Sequence, residues 1–184
     1  TRLVDDLLDL ARITSGKIDL RFAPVTLASV IEHAVQTSSP LLQQREQTLS
    51  VALPSEDVTL FADATRLSQV VANLLNNAAR YSPPGSPVAV ACAVEDDQVV
   101  VRVSDRGIGI EPAMLSRIFE LFVQSDRRPD RSQGGLGLGL TLVRRLVELH
   151  RGTVTARSEG LTRGSVFEVR LPVAAAVAPA PVAP

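Results

Sequence analysis

One segment leaves this chain few choices: ADATRLSQVVANLLNNAARYS, residues 62–82. Leu67, Val70, Val71, Leu74, Leu75 and Ala78 recur at i, i+3, i+4, i+7, i+8 and i+11, the spacing that gathers side chains on one face of an α-helix. A helix with so broad an apolar stripe has to bury it. The next residues, PVAVACAVEDDQVVVRVSD, carry two β-branched runs around the acidic turn Glu95-Asp96-Asp97-Gln98 and read as a β-hairpin.

The remaining elements follow from the same patterns. LASVIEHAVQTSSPLLQQRE predicts a helix over 27–46 that Pro40 bends or breaks, and LSVALP and VTLFAD are strand candidates. AMLSRIFELF reads as a short helix, residues 138–150 as another, and GTVTARSE with GSVFEVRLP as a second hairpin. Before all of these, TRLVDDLLDLARI sets Leu3, Leu7 and Leu10 on one stripe beside Val4, Leu8 and Ala11, as in a helix that packs in a bundle. Gly16 suits the C-cap of that helix, and a domain boundary is expected near residue 18. At the other end, AAAVAPAPVAP has no means of building a core and reads as a semi-extended linker.

Composition excludes several classes. A net charge of −1 and a pI near 6.1 give no general attraction to nucleic acid or to an acidic membrane surface. The one cysteine, Cys92, rules out an internal disulfide framework and reads as a buried thiol in a strand. No apolar run reaches the roughly 18 residues that a membrane span needs.

Four of the 11 glycines fall within QGGLGLGL, residues 133–140, directly before an apolar helical segment. Glycine lets a ligand approach the main chain, and a helix that starts after such a loop aims unpaired N–H groups outward, an arrangement suited to phosphate. The loop lacks the lysine of a Walker A motif, and the polar SDRRPDRSQ before it is unlike the strand that precedes a dinucleotide fingerprint. Taken alone, it is equally consistent with a flexible linker.

Three further features accompany it. Asn73 and Asn77 lie one helical turn apart with Arg80 one turn beyond, on a flank beside the apolar stripe; carboxamide oxygens are neutral hard ligands that suit Mg²⁺. Ser104-Asp105-Arg106-Gly107-Ile108-Gly109-Ile110 ends a strand with a carboxylate able to accept from an exocyclic amine. Ile118-Phe119-Glu120-Leu121-Phe122 places two of the five phenylalanines just before the polar loop.

Together these stretches resemble the sensor histidine kinases. NLLNNAARYS is similar to their N box, DRGIGI to the G1 box, IFELF to the F box and GGLGLGL to the G2 box, in the family's order and spacing. The resemblance implies a Bergerat-type two-layer α/β sandwich, a mixed sheet covered on one face by helices. It also implies a division into residues 1–18 as the end of a second dimerisation helix, 19–172 as the catalytic ATP-binding domain and 173–184 as an Ala/Pro-rich linker.

Residue by residue, the resemblance assigns Asn77 to Mg²⁺, Asn73 and Arg80 to the phosphate side, and Tyr81 to the nucleotide's vicinity. Asp105 would read adenine, with Gly107, Ile108 and Gly109 lining its approach. Gly135, Leu136, Gly137, Leu138 and Gly139 would form the lid end that receives phosphates. Arg80 replaces the lysine most common at its place, and Arg127, Arg128 and Arg131 acquire no role.

Members of the wider gyrase, chaperone, histidine-kinase and mismatch-repair superfamily that hydrolyse ATP carry a glutamate base where this chain has Asn73. An amide cannot take a proton from water, so transfer of the γ-phosphate to a protein histidine is the favoured reading. An anti-sigma-type serine kinase or a nucleotide-sensing module is the alternative. His33 and His150 lack the acceptor pattern and read as structural, which puts the phosphoacceptor upstream and leaves the fragment unable to label itself. The implied partners are an upstream dimerisation domain and a response regulator or fused receiver domain. The full-length protein would be a homodimer and the fragment a monomer. The expected setting is cytoplasmic, as the soluble portion of a protein that other segments can anchor to a membrane.

Overall fold

The computed structural model describes residues 19–121, 123 and 137–173. The expected bundle-helix remnant at 1–18, Phe122, Arg127, Arg128, Arg131, Gly135, Leu136 and the tract from 174 onward lie outside the described residues.

The described elements run β1 (Ala23–Thr26), α1 (Leu27–Gln44), β2 (Thr48–Ala52), β3 (Thr59–Ala62), α2 (Ala64–Tyr81), β4 (Pro87–Glu95), β5 (Gln98–Asp105), α3 (Pro112–Leu115), α4 (Gly139–Leu149), β6 (Thr153–Arg157) and β7 (Ser165–Pro172). Five strands form a sheet in the order β2-β4-β5-β7-β6, in which β2 runs parallel to β4 and every other pair is antiparallel. The strand candidates around residues 49–63 therefore separate. The first joins the main sheet, and the second pairs with β1 in a two-stranded antiparallel ribbon.

Helix α2 is the predicted one, and all six of its stripe residues are at most 4% exposed. They meet one face of the sheet, where Val88, Val90 and Cys92 of β4 stand beside Val99, Val101 and Val103 of β5 and Phe167, Val169 and Leu171 of β7. Burial pushes the Cys92 thiol up to about 11. The β4–β5 turn places Asp96 and Asp97 at φ 47° and 60°, the left-handed pair that a tight two-residue hairpin turn requires.

The opposite face has a different chemistry. Glu95, Arg102, Glu168 and Arg170 alternate there in a ring of ion pairs, with Arg102 reaching Glu95 at 2.8 Å and Glu168 at 2.6 Å, and Arg170 bonded to both carboxylates. Val100 on that face is fully buried and stands outside the main core cluster. Its register partner is Arg170, and Arg102 lies two residues on along β5 on the same face.

Two expectations about helices need correction. Pro40 does not break α1, which continues through it to Gln44. Burial of Leu42 beyond the proline, with backbone bonds from Arg45 to Leu41 and Gln47 to Leu42, holds the last turn despite the missing donor at Pro40. The predicted helix over AMLSRIFELF is only Pro112–Leu115; mostly i,i+3 turns follow it and bring Phe119 edge-on to Phe167, ring centroids 6.3 Å apart. Among the described residues, no helix is long and apolar enough to cross a membrane.

The two histidines differ. His33, read as structural, stands exposed on α1 and takes no part in the core. His150 is buried after α4, where its Nδ1 meets the Leu146 carbonyl at 2.7 Å and its Nε2 accepts from the Asp63 N–H at 3.1 Å. Asp63 is itself the N-cap of α2, its carboxylate accepting from the N–H groups of Arg66 and Arg21. A neutral ring with the proton on Nδ1 satisfies both bonds, whereas a doubly protonated ring would face the Asp63 N–H with a second donor. Burial accordingly lowers the His150 pKa below its ordinary 6.5, against the opposing pulls of the Leu146 carbonyl and the Asp63 carboxylate.

The unfolded chain then binds more protons than the folded one as pH falls below about 6.5. This contribution to stability is complete above that value and is lost on acidification. The urea midpoint should fall between pH 7.5 and 5.5, and the slope should be reduced in His150→Gln. A slope that persists unchanged in the variant would assign the effect to other groups.

Candidate functional site

The C-terminal half of α2 and the loop after β5 meet at the end of the sheet's central strand. They are joined where the Ile108 N–H donates to the Tyr81 carbonyl at 3.0 Å. Between them opens a cavity of about 330 Å³. Its lining includes Asn77 and Tyr81 from α2, Asp105 at the end of β5, Ile108 and Gly109 from the following loop, and Leu140 from α4. Most of the remaining wall is aliphatic or aromatic, with Ile110, Met114, Ile118 and Phe167 among its members. An apolar chamber with a few convergent polar groups is the usual form of a small-molecule site.

Among those polar groups, Asp105 is held by three hydrogen bonds. Its Oδ1 accepts from the Gly107 N–H at 2.7 Å and from the Ser82 hydroxyl at 3.5 Å, and its Oδ2 accepts from the Ser165 hydroxyl at 2.5 Å. Ser165 lines the cavity as well and is the register partner of Asp105 across β5–β7. Sequence reasoning missed it. Sixty positions separate the two residues, and only the pairing of β5 with β7, which no local pattern announces, brings them together.

Along α2 the three expected polar residues become progressively more exposed. Asn73 is 8% exposed, with a buried Nδ2 that has no hydrogen-bond partner among the described residues. Asn77 is half-buried in the cavity wall, and Arg80 is exposed and outside the lining. Asn76, between them, faces inward and donates to the Ala72 carbonyl at 2.6 Å.

Helix α4 begins at Gly139 after a buried Leu138 and carries no side-chain cap on its first N–H groups. Gly137 before it sits at φ 73°. Thr141 in the same turn has a buried Oγ1 without a partner among the described residues. An uncapped helix start and two unpartnered buried polar atoms are what an anionic ligand would complete. Among the described residues no group of three His, Cys, Asp or Glu could hold a metal. A divalent ion at the neutral Asn77 oxygen would therefore depend on the ligand for anionic partners, which suits Mg²⁺ carried on phosphates.

The glycines divide into two kinds. A Cβ at Gly107 would collide with the Tyr81 carbonyl, and one at Gly109, which lies at φ 71°, would collide with the Gly160 carbonyl. Both serve the approach of chain to chain. A Cβ at Gly139 would meet nothing within 4 Å.

Comparison with known proteins agrees with this geometry. Residues 62–175 match the family described as "Histidine kinase-, DNA gyrase B-, and HSP90-like ATPase". The chain belongs to this family. Among similar proteins of this ATPase family, "Probable sensor histidine kinase TcrY" of Mycobacterium tuberculosis is 40% identical over 94% of this chain and 35% of its own length. "Hybrid signal transduction histidine kinase D" of Dictyostelium discoideum is 34% identical over 94% of this chain and 11% of its length. The chain thus spans about a third or less of these relatives. The crystal structure of full-length ShkA in complex with AMPPNP superposes with a TM-score of 0.82 at 32% identity, covering 94% of this chain and 35% of that one. The mixed five-stranded sheet with its helices is the α/β fold of the histidine-kinase ATPase domains.

The division among the glycines is testable without any ligand. Gly107→Ala should cost the folded protein about 2 kcal/mol, since backbone on both sides must move. Gly139→Ala should change stability by less than about 1 kcal/mol, a helix start in open space being indifferent to a methyl group. Urea denaturation of both variants measures the difference.

Proposed function

We propose that the cavity binds Mg-ATP and that the chain donates the γ-phosphate to a histidine on a dimerisation domain, as the catalytic domain of a sensor histidine kinase. The observation that carries the proposal is the Asp105 carboxylate, fixed by Gly107, Ser82 and Ser165 within an otherwise apolar cavity. A flat heterocycle with an exocyclic amine matches such a site: the amine donates to the carboxylate while the ring faces take the aliphatic walls.

In this reading the triphosphate runs from that pocket toward the start of α4. Asn77 supplies an oxygen to Mg²⁺, which when bound neutralises charge on the phosphates. Asn73 and Arg80 act on the phosphate side and Tyr81 lies beside the nucleotide. Gly107, Ile108 and Gly109 shape the base pocket, while Gly135, Leu136, Gly137, Leu138 and Gly139 form the lid end, where uncapped N–H groups of α4 meet the anion. Asn73 has no proton-accepting oxygen basic enough to activate water, so the γ-phosphate is kept for a protein acceptor. The domain limits 19–172, a cytoplasmic setting and a response regulator or fused receiver domain as downstream partner belong to the same proposal. That the named relatives include both a sensor kinase and a hybrid kinase supports it over a serine kinase of the same superfamily.

Asp105→Asn should weaken ATP binding by ~1–3 kcal/mol, the effect of mismatching one buried hydrogen bond, with the fold retained. Asn77→Ala should remove the Mg²⁺-dependent part of binding. Calorimetric titration with ATP, with and without Mg²⁺, measures both, and a parent chain that binds ATP and GTP equally would contradict the role of Asp105. Incubation with γ-labelled ATP and a separately supplied dimerisation domain should place acid-labile label on that domain; label on His33 or His150 instead would overturn the assignment of donor and acceptor.

A further inference from the structure

The turn between β6 and β7, residues 158–164, is bonded to the loop after β5, which contributes to the cavity wall. Ser158 anchors it: its Oγ accepts from the Ile110 N–H at 3.0 Å and donates to the Gly164 carbonyl at 2.7 Å. Two backbone bonds add to this, from the Thr162 N–H to the Ile108 carbonyl at 2.7 Å and from the Gly164 N–H to the Gly107 carbonyl at 3.1 Å. The Gly160 carbonyl fills the place where a Cβ of Gly109 would be. Residue 162 is thus bonded to the loop that follows β5, and residue 160 packs closely against it.

Leu161 lies between those two fixed points, and its side chain lines the cavity while remaining 41% exposed. The fold gains little from a leucine held in that position. A turn at the protein surface is normally polar and free to move, whereas this one is tied down at both flanks and presents a large apolar side chain toward the chamber that contains Asp105.

We infer that Leu161 is an affinity-determining wall for the face of the bound base, and that Ser158 is a positioning residue that sets its height by fixing the turn to Ile110 and Gly164. The inference rests on the nucleotide reading of the cavity given above. It assigns a division of labour on the base side: Asp105 meets the edge of the ring, and Leu161 covers its face. Covering the exposed part of one leucine with an apolar ring is worth roughly a fivefold change in affinity.

The test is calorimetric titration of the 184-residue chain with ADP and with ATP in Mg²⁺, alongside the thermal midpoint of each apo protein. Leu161→Ala should weaken both nucleotides by the same factor, roughly fivefold, with the midpoint little changed, because the part of the side chain that would meet the base is exposed in the free protein. Ser158→Ala should weaken both nucleotides at least as much, and Ser158→Thr, which keeps the hydroxyl, should restore binding. If Leu161→Ala binds as tightly as the parent, the wall is overturned while the nucleotide site stands. Failure of Ser158→Thr to restore binding, or a loss confined to ATP, would overturn the positioning role. A parent chain that binds neither nucleotide would overturn the nucleotide reading itself and the wall with it.

Discussion

Every α-helix ends with carbonyl groups that have no donor within the helix. At the end of α2 that requirement organises the neighbourhood. Tyr81 passes its carbonyl to the Ile108 N–H, while the carbonyls of Ala79 and Pro83 accept from Gln47, and that of Ser82 from Arg45. The bond to Ile108 is the decisive one, since it draws the loop after β5 against the helix and so forms the cavity at the junction. It also explains the glycine before Ile108: the Tyr81 carbonyl occupies the only position a Cβ at Gly107 could take. The side chains that line the chamber are therefore placed by a backbone obligation that exists before any ligand arrives.

How much of this could be read from the residues depended on the range of the interaction. The stripe of α2 and the Asp96-Asp97 turn are local, set by spacing and backbone conformation within a few residues, and both appear as expected. The order of the sheet is not local. β2 enters beside β4 in parallel, and β7 inserts between β5 and β6, because the apolar faces of the strands have to line up under α2 and no short pattern records that demand. Ser165 escaped notice for this reason. Pro40 and the AMLSRIFELF segment failed differently: there, propensity favoured one outcome and burial of Leu42 and of Phe119 imposed another.

The glycines show the same limit in the candidate site. A run of glycines and a G-x-G pair look alike as letters, yet Gly107 and Gly109 are required by neighbouring carbonyls, and Gly139 borders open space. The amide-rich flank of α2 was legible as polarity beside an apolar stripe. That Asn73 is buried, with an Nδ2 unpartnered among the described residues, while Arg80 is exposed, is a matter of tertiary packing that polarity alone does not record.

Cys92 carries a practical consequence. It is the chain's one thiol, it faces the helices from the middle of β4, and burial keeps it protonated at neutral pH. Alkylating and oxidising reagents act on the thiolate at an accessible sulfur, so the Cys92 thiol of the folded domain should react slowly with them. A cysteine introduced on the outer face of the sheet or on the exposed side of α1 would then be the sole reactive handle, and a fluorophore could be attached at one chosen point without first removing the native thiol.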